Sequence, residues 1–289
     1  GNLVLSLSSG IMYHRLVDRI TALNDVPREP LVPRRLGKNM CVPFGKILRG
    51  KVVPNTVTKT LHTDKVYEPD LNSFTIEPFP YYSPLKSQIE TIKSFDRPVI
   101  LVDDLVHTAN RLQVLVPQLR EDGIPIKKVV VGVLSGYGRD LMQCLKVPVE
   151  SIYSMPNLRQ WFVESTLYPF IGGDTVRREE MKVAGLQPSI NMILPYATPR
   201  LSGCSREALV EFSACCIENS RDLFQVLEAE YRKMYAKNLT LSRLSEAVIL
   251  PLCPDKGSCM EYDENLAASV YLENDLETLW RMKEFLIKG

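Results

Sequence analysis

Two consecutive acids, Asp103 and Asp104, carry the most specific chemical signal in the sequence. They follow the apolar run Val99–Val102, which has the composition of a buried β-strand, and they precede a small-residue turn into a predicted helix. Carboxylates at such a strand end can accept hydrogen bonds from sugar hydroxyls, and the free N–H groups of a helix start favour phosphate. Each charge-assisted bond of this kind contributes about 1.5–3 kcal/mol. The pattern indicates a sugar-phosphate site.

Residues 99–111 resemble the signature of the type I phosphoribosyltransferases, which use phosphoribosyl pyrophosphate (PRPP). The shared pattern is four apolar residues, two acids, two apolar residues and a phosphate loop. The resemblance implies that Asp103 and Asp104 hold the ribose 2′- and 3′-hydroxyls. It also implies transfer of phosphoribose to a nitrogen acceptor, with Mg²⁺ as a cofactor that bridges diphosphate and ribose.

The loop after the acids departs from the family pattern. By the resemblance, the 5′-phosphate is bound by Thr108, Ala109, Asn110 and Arg111. Ala109 stands where the family has glycine, and alanine fits there only if its φ stays negative. Arg111 stands where the family has threonine, and it either adds charge to phosphate binding or fills the place of the phosphate. His107 replaces the acid that serves purine enzymes as general base, and imidazole transfers protons near neutral pH.

Two upstream segments stand in the order that this resemblance requires. Leu3–Leu7 is predicted as a buried first strand, and the Ser8–Gly10 turn after it as the pyrophosphate loop, with Ser9 and Gly10 as ligand-binding residues. An ordinary strand–helix turn is the alternative. The basic segment Lys38–Lys59 is interpreted as a mobile loop, with an insertion, that closes over an anionic ligand. A solvated basic surface is the alternative there.

Three downstream features have both a binding and a structural interpretation. Ser135–Asp140 follows a predicted strand, and its two glycines permit close approach of backbone to a ligand. Trp161 is the candidate for stacking on a base, although a tryptophan often belongs to the core. Gly172–Thr175 is a polar turn that either lines a pocket or caps a helix. Cys253 and Cys259 have no nearby histidine, so a metal site is not predicted.

The elements around the acid pair predict an α/β fold with a parallel sheet. Strands are predicted over 99–102, 127–134 and 149–153, and helices over 11–23, 85–95, 111–121 and 139–145. Apolar strands that alternate with helices are typical of a parallel sheet covered on both faces. Further helices are predicted over 208–235, 240–249 and 273–287. We therefore predict a phosphoribosyltransferase-like α/β domain over residues 1–202 and a helical C-terminal region over 203–289.

Composition narrows the functional classes. The 289 residues contain 35 Lys and Arg against 34 Asp and Glu, which gives a net charge of +1. This balance lacks the excess of positive charge that is typical of proteins that bind nucleic acid. No apolar run reaches the roughly 18 residues needed to cross a bilayer. Seven scattered cysteines fit a reducing compartment. We expect a cytoplasmic protein with a small phosphoribosyl ligand, no nucleic-acid or membrane partner, and a homodimer as the default assembly.

A second resemblance extends over the whole chain. Residues 134–142, 168–175 and 271–275 resemble the C-terminal part of clostridial-type bacterial proteins described as cytidyltransferase-related. Gly1 in place of Met agrees with a longer polypeptide that has a further domain upstream. The sequence contains no HxGH motif, so nucleotide transfer is not assigned to it. Three functions stay open: a phosphoribosyltransferase, a noncatalytic sensor of a phosphorylated ribose or nucleotide, and an assembly scaffold.

Overall fold

The computed structural model describes residues 3–33, 35–79, 82–177, 189–198, 203–244 and 263–288. These residues form the strands β1 (Met40–Pro43), β2 (Val57–Thr58), β3 (Thr63–Tyr67), β4 (Phe74–Pro78), β5 (Val99–Val106), β6 (Ile126–Ser135), β7 (Val149–Met155), β8 (Asp174–Val176) and β9 (Ser189–Ile190). The helices are α1 (Ser9–Leu23), α2 (Leu85–Lys93), α3 (Asn110–Glu121), α4 (Gly136–Cys144), α5 (Arg206–Tyr235), α6 (Leu241–Leu244) and α7 (Ala268–Lys288), with a 3₁₀ turn at Glu164–Leu167.

The chain divides into two compact units. The first comprises Gly1–Asp64 and Ile76–Arg159, and the second comprises Lys65–Thr75 and Gln160–Gly289. The predicted boundary at residues 202 and 203 therefore lies inside the second unit. The change in residue pattern near residue 203 marks the start of α5. Residues before that point nevertheless pack against α5, as Phe170 does against Phe224.

The first unit contains a parallel five-stranded sheet in the order β2-β1-β5-β6-β7. Its strand faces alternate strictly. Cys41, Ile100 and Val130 pack with α1 on one face, whereas their neighbours Val42 and Leu101 pack with α2 and α3 on the other. Both faces are therefore covered, which explains why the strands are continuous apolar runs in the sequence. The predicted α/β class is confirmed.

A second sheet has four strands in the order β4-β3-β8-β9. The second unit contains β8, β9 and the helical part of the chain. Helices α5 and α7 run antiparallel, since Glu228 accepts hydrogen bonds from Ser269 while Gln225 donates to Glu273. The predicted C-terminal helical region is thus present. The sheet beside it was not predicted, because its strands are short and interrupted by polar residues.

Two expectations for the first unit are wrong. Leu3–Leu7 is not a strand, and Leu3 and Val4 are more than 80% exposed. The strand beside β5 is instead β1, within residues 26–84, for which the many prolines predict loops and a few short strands at 52–53 and 56–61. Of these predicted strands, β2 lies within 56–61. The basic segment Lys38–Lys59 contains both β1 and β2, so it is not one mobile loop. A four-residue strand that ends in proline gives too short a periodic signal to distinguish it from a loop.

No helix in the described part of the chain is both long enough and apolar enough to span a membrane. The homodimer, the cytoplasmic location, the upstream domain and the cytidyltransferase-related resemblance stay predictions from the sequence.

Candidate functional site

The acid pair lies at the place where the order of the sheet changes direction. From β1 the chain continues to β2 on one side, whereas β5 is followed by β6 and β7 on the other. The carboxyl ends of these two adjacent strands are therefore a topological switch point, the place where open α/β sheets have their ligand crevice. In open α/β sheets, ligands bind in such crevices. Asp103 and Asp104 are near the carboxyl end of β5, directly beside β1.

Asp104 is held by the loop that follows β1. Its carboxylate accepts hydrogen bonds from the backbone N–H of Lys46 at 2.6 Å and of Ile47 at 3.1 Å. A Cβ on Gly45 would lie 2.5 Å from Asp104 Oδ1 and 2.7 Å from its backbone nitrogen, so only glycine lets the loop approach this closely. Burial raises the pKa of Asp104, and the hydrogen bonds from Ile47 and Lys46 oppose that rise.

Asp103 is the more buried of the two acids, with 8% of its surface exposed. Its Oδ1 accepts the backbone N–H of Asp104 at 2.8 Å and lies 3.9 Å from Arg111 Nη1. Burial raises the pKa of Asp103 to about 7, against the opposing effect of the Arg111 cation and with a further rise from Asp104. The carboxyl group therefore changes its charge near neutral pH.

A second guanidinium group, that of Arg49, comes from the loop after β1. Its Nη2 donates to the carbonyl of Thr63 at 3.4 Å, and its cation lies 5.3 Å from the centre of the Phe79 ring. Its Nε is buried and has no hydrogen-bond partner among the described residues. Burial lowers the pKa of Arg49, and the nearby Arg111 cation lowers it further. The two arginines thus repel each other, and an anion bound between them would relieve that repulsion.

The phosphate loop ends at an uncapped helix. Ala109 is the residue before α3 and has φ 51° and ψ 22°, in the left-handed region, so the expectation of a negative φ there is wrong. The first N–H groups of a helix have no partner within it, and no side chain in the described structure caps those of α3. Thr108 is exposed, and Asn110 Nδ2 donates to its Oγ1 at 2.8 Å. The backbone conformation that glycine would adopt is therefore preserved in an alanine.

We expect substitutions of Ala109 to report this strained backbone. Ala109→Gly should change the free energy of unfolding by no more than about 1 kcal/mol. Glycine avoids the cost of a left-handed backbone, which is about 1–2 kcal/mol for alanine. This gain is offset because the variant loses a buried methyl group and has a more flexible unfolded chain. Ala109→Val should destabilise by about 2 kcal/mol or more, because a β-branched residue hardly enters this region. Urea unfolding measures both; equal effects of the two variants would contradict the strain.

His107 lies on the opposite side of the acid pair from Arg49, toward β6. Its Nδ1 is 2.9 Å from the Oγ of Ser135, the last residue of β6, and its ring centre is 5.8 Å from that of Tyr137. Ser135 also caps α4, since its Oγ accepts the N–H of Gly138 at 2.9 Å. Tyr137 is 57% exposed. The crevice therefore has one cationic side and one side formed by imidazole, hydroxyl and phenol groups.

Other predicted site residues lie outside this cluster. Ser9 and Gly10 are exposed and form the first turn of α1, whose cap is Ser8, rather than a loop after a strand. Trp161 belongs to the second unit and is 49% exposed, so it is not a core residue. The structure does not test its predicted stacking role.

The predicted glycine turns have structural explanations. A Cβ on Gly136 would meet the carbonyl of Pro156, so this close approach is to protein backbone. Gly138 is likewise pressed against the carbonyl of Val106. In the second unit, Gly172 packs on the carbonyl of Ser165, and the residues after Gly173 enter β8 instead of capping a helix. Cys253 and Cys259 lie outside the described residues.

Sequence reasoning included residues 45–49 in the basic segment Lys38–Lys59 but did not pair them with Asp104, and it missed the hydroxyl of Ser135 as a partner of His107. A signal for a strand followed by a turn was the apolar run Met40–Val42, with glycine three residues later. No spacing rule could pair this segment with Asp104, since the hydrogen-bonded residues are 57 and 58 positions apart.

The sequence matches no protein-family model, and a search among curated proteins gives no match. Among solved structures, a purine phosphoribosyltransferase from Pyrococcus horikoshii superposes with a TM-score of 0.33 at 12% identity, over 55% of this chain and 97% of that one. A hypoxanthine phosphoribosyltransferase from Trypanosoma cruzi gives a TM-score of 0.30 at 16% identity, over 52% of this chain and 73% of that one. An adenine phosphoribosyltransferase from Thermoanaerobacter pseudethanolicus gives a TM-score of 0.28 at 10% identity, over 50% and 80%.

Proposed function

We propose that the first unit binds PRPP, or a related ribose 5-phosphate or nucleotide ligand, and transfers its phosphoribosyl group to a nitrogen acceptor. The observation that carries this proposal is the position of Asp103 and Asp104. Two adjacent carboxylates lie at the switch point of a parallel sheet, beside the uncapped start of α3. Vicinal hydroxyls fit the carboxylates, and a phosphate fits the free N–H groups of the helix.

The charges around the crevice orient the ligand in this proposal. The 5′-phosphate occupies the loop Thr108–Arg111, and the ribose lies over the acid pair. The diphosphate faces the loop Gly45–Arg49, because this side supplies the guanidinium group of Arg49, whose Nε has no hydrogen-bond partner among the described residues. The acceptor faces the other side, where His107 and Tyr137 provide polar and aromatic groups without a fixed charge.

The reaction in this proposal is a substitution at C1′ of the ribose. A bond forms between the acceptor nitrogen and C1′, and the bond from C1′ to the diphosphate oxygen breaks. Diphosphate leaves with the electron pair, and the acceptor gives up one proton. Positive charge develops on the ribose as the leaving group departs, and the carboxylates of Asp103 and Asp104 stabilise it electrostatically.

Mg²⁺ belongs to this proposal because the donor set fits an ion that arrives with its ligand. The described residues contain no group of three His, Cys, Asp or Glu side chains that could hold a metal by themselves. Mg²⁺ in proteins is often held by one or two carboxylates together with substrate phosphates and water. Asp103 and Asp104 would supply the carboxylates, and bound Mg²⁺ would neutralise charge on the diphosphate.

A noncatalytic sensor is the second candidate, and Arg111 favours it. Arg111 stands where the resembling family has threonine, and its guanidinium group lies 3.9 Å from Asp103. A cation at this position strengthens binding of a phosphate without contributing to bond breaking at C1′. In this version the same ligand binds and is released unchanged. Turnover with a panel of nitrogen acceptors, measured as diphosphate release, separates the two candidates.

The proposal is tested by calorimetric titration with PRPP, with and without Mg²⁺, on two glycine variants. Gly45→Ala should weaken PRPP binding about tenfold or more and destabilise the first unit by about 1–3 kcal/mol, because its Cβ would displace Asp104. Gly10→Ala should leave affinity unchanged and stabilise α1 by about 0.5–1 kcal/mol, since its Cβ meets nothing closer than 3.7 Å. Circular dichroism verifies that each variant is folded.

The pair also decides between the two candidate diphosphate loops. If Gly10→Ala weakens binding and Gly45→Ala does not, the diphosphate faces Ser9 and Gly10, as the sequence predicted. If the unaltered protein shows no saturable binding of PRPP, with or without Mg²⁺, the proposed function is wrong.

A further inference from the structure

The hydroxyl of Ser135 connects the end of β6 to His107. With only 1% of its surface exposed, Ser135 has no access to bulk water. Its Oγ has two polar neighbours in the described structure, the backbone nitrogen of Gly138 at 2.9 Å and the Nδ1 of His107 at 2.9 Å. These two contacts determine where the hydroxyl proton lies.

The contact with Gly138 has a fixed direction. A backbone N–H is always a donor, so Ser135 Oγ accepts that hydrogen bond and caps α4. The hydroxyl proton of Ser135 then needs an acceptor of its own, and a buried hydroxyl without one costs free energy. Among the described residues, His107 Nδ1 is the acceptor at hydrogen-bond distance. Neutral His107 must therefore carry its proton on Nε2.

The geometry of this contact is enforced by close packing. A Cβ on Gly138 would lie 2.3 Å from the carbonyl oxygen of Val106, the residue just before His107. The first turn of α4 is therefore pressed directly against the end of β5. At the same turn, Gly136 donates its N–H to the carbonyl of Pro156 at 3.2 Å. Both ends of the Ser135–His107 contact are consequently held by backbone.

We propose that Ser135 is a positioning residue that holds neutral His107 as the Nε2–H tautomer, so that His107 is a hydrogen-bond donor to the ligand. Nε2 has no hydrogen-bond partner in the described part of the chain and is left for the ligand. This use of the donor rests on the proposed function. The group of the acceptor molecule that meets His107 then presents a lone pair, such as that of a ring nitrogen or a carbonyl oxygen.

The proposal changes the role that the sequence predicts for His107. A general base needs a free lone pair on the nitrogen that faces the substrate, and in the Nε2–H tautomer that nitrogen is protonated. His107 therefore donates a hydrogen bond to the molecule that receives the phosphoribosyl group, and does not remove a proton from that molecule. The proton lost from the attacking nitrogen passes to solvent.

The tautomer can be measured in the ligand-free protein by two-bond ¹H–¹⁵N correlation spectra of the histidine rings. Spectra are recorded on the whole chain above pH 8, where an ordinary imidazole is neutral. His107→Gln identifies the signals of His107, since the chain has only three histidines. We expect Nδ1 of His107 at the unprotonated, pyridine-like position and Nε2 at the protonated, pyrrole-like position. A protonated Nδ1, or the tautomer mixture of free histidine, would overturn the proposal.

Two substitutions separate positioning from a purely structural role as helix cap. Ser135→Thr keeps both the cap and the hydroxyl donor, so the tautomer should be unchanged. Ser135→Asp keeps the cap but offers only acceptor oxygens, and it should move the proton of neutral His107 to Nδ1. An unchanged tautomer in folded Ser135→Asp would show that Ser135 does not control His107, and would overturn the proposal.

The outcome is independent of the PRPP titration. An Nε2–H tautomer in a protein that fails to bind PRPP would refute the proposed function and leave the role of Ser135 intact. If the protein binds PRPP but His107 carries its proton on Nδ1, the proposed function stands and the role of Ser135 is refuted.

Discussion

Replacing both acids, Asp103→Asn with Asp104→Asn, is expected to reduce the affinity for PRPP by about 100-fold or more. Two charge-assisted hydrogen bonds from the ribose hydroxyls are lost, each about 1.5–3 kcal/mol. The fold should survive, because asparagine is close to isosteric with aspartate. After the substitution, the side-chain amide oxygen at position 104 can still accept one of the two N–H groups, of Lys46 and Ile47, that Asp104 accepts. Isothermal calorimetry measures the loss.

The matched control changes two acids that lie elsewhere in the first unit. Asp25 and Asp96 are exposed and have φ angles of 52° and 48°, a region that asparagine tolerates well. Asp25→Asn with Asp96→Asn therefore replaces the same number of aspartates by asparagine without strain. PRPP affinity in this control should match that of the unaltered protein, and a parallel loss would indicate a long-range charge effect.

Inorganic diphosphate provides a second control, because it has no ribose hydroxyls. Its affinity should stay the same or rise in the Asp103→Asn, Asp104→Asn variant, since negative charge near the cationic side is removed. If PRPP affinity in that variant remains within about threefold of the unaltered protein, the acid pair is not the ribose site. The loop residues and Arg49 would then have to be examined as a simple anion site.

The acids could be located from sequence because the relevant physics is local. Val99–Val102 is a continuous apolar run flanked by two predicted helices, which favours a buried parallel strand, and the acids follow it in the second half of β5. Helix α3 likewise begins within one residue of its predicted start, where the small-residue turn gives way to periodic leucines. The neighbours of the acids could not be located in this way. Asp104 is held by Lys46 and Ile47, and that contact depends on which strand pairs with β5.

The error at the N-terminus has the same origin. Leu3–Leu7 has the composition of a strand, but sheet pairing decides whether such a run is used, and β1 occupies the position beside β5. Met40–Pro43 is shorter and ends in proline, yet all four residues are buried. The conformation of Ala109 shows a related limit. The loop requires a left-handed backbone at position 109, and alanine adopts it despite the energetic cost. The residue type alone predicts a negative φ there.

Asp103 is expected to make the stability of the first unit fall as pH rises from about 4 to 7. Its pKa is raised by burial to about 7 in the folded protein, from an ordinary value near 3.8. Between these values the native state binds more protons than the unfolded chain, so the free energy of unfolding decreases with pH and levels off above pH 7. Three pKa units correspond to a loss of about 4 kcal/mol at most.

Asp103→Asn isolates this contribution, because asparagine resembles the protonated acid at every pH. The variant should be close to the unaltered protein in stability at pH 4, more stable by about 1–2 kcal/mol at pH 5, and more stable by about 3–4 kcal/mol at pH 8. Hydrogen exchange of the β5 and β6 amides reports the first unit alone, whereas Trp161 and Trp280 both belong to the second. Comparing the two proteins at each pH cancels the intrinsic pH dependence of exchange. A difference in stability that is constant from pH 5 to 8 would show that Asp103 ionises normally in the folded protein. In that case its charge would be fully present at neutral pH, and Arg111 would offset the cost of its burial.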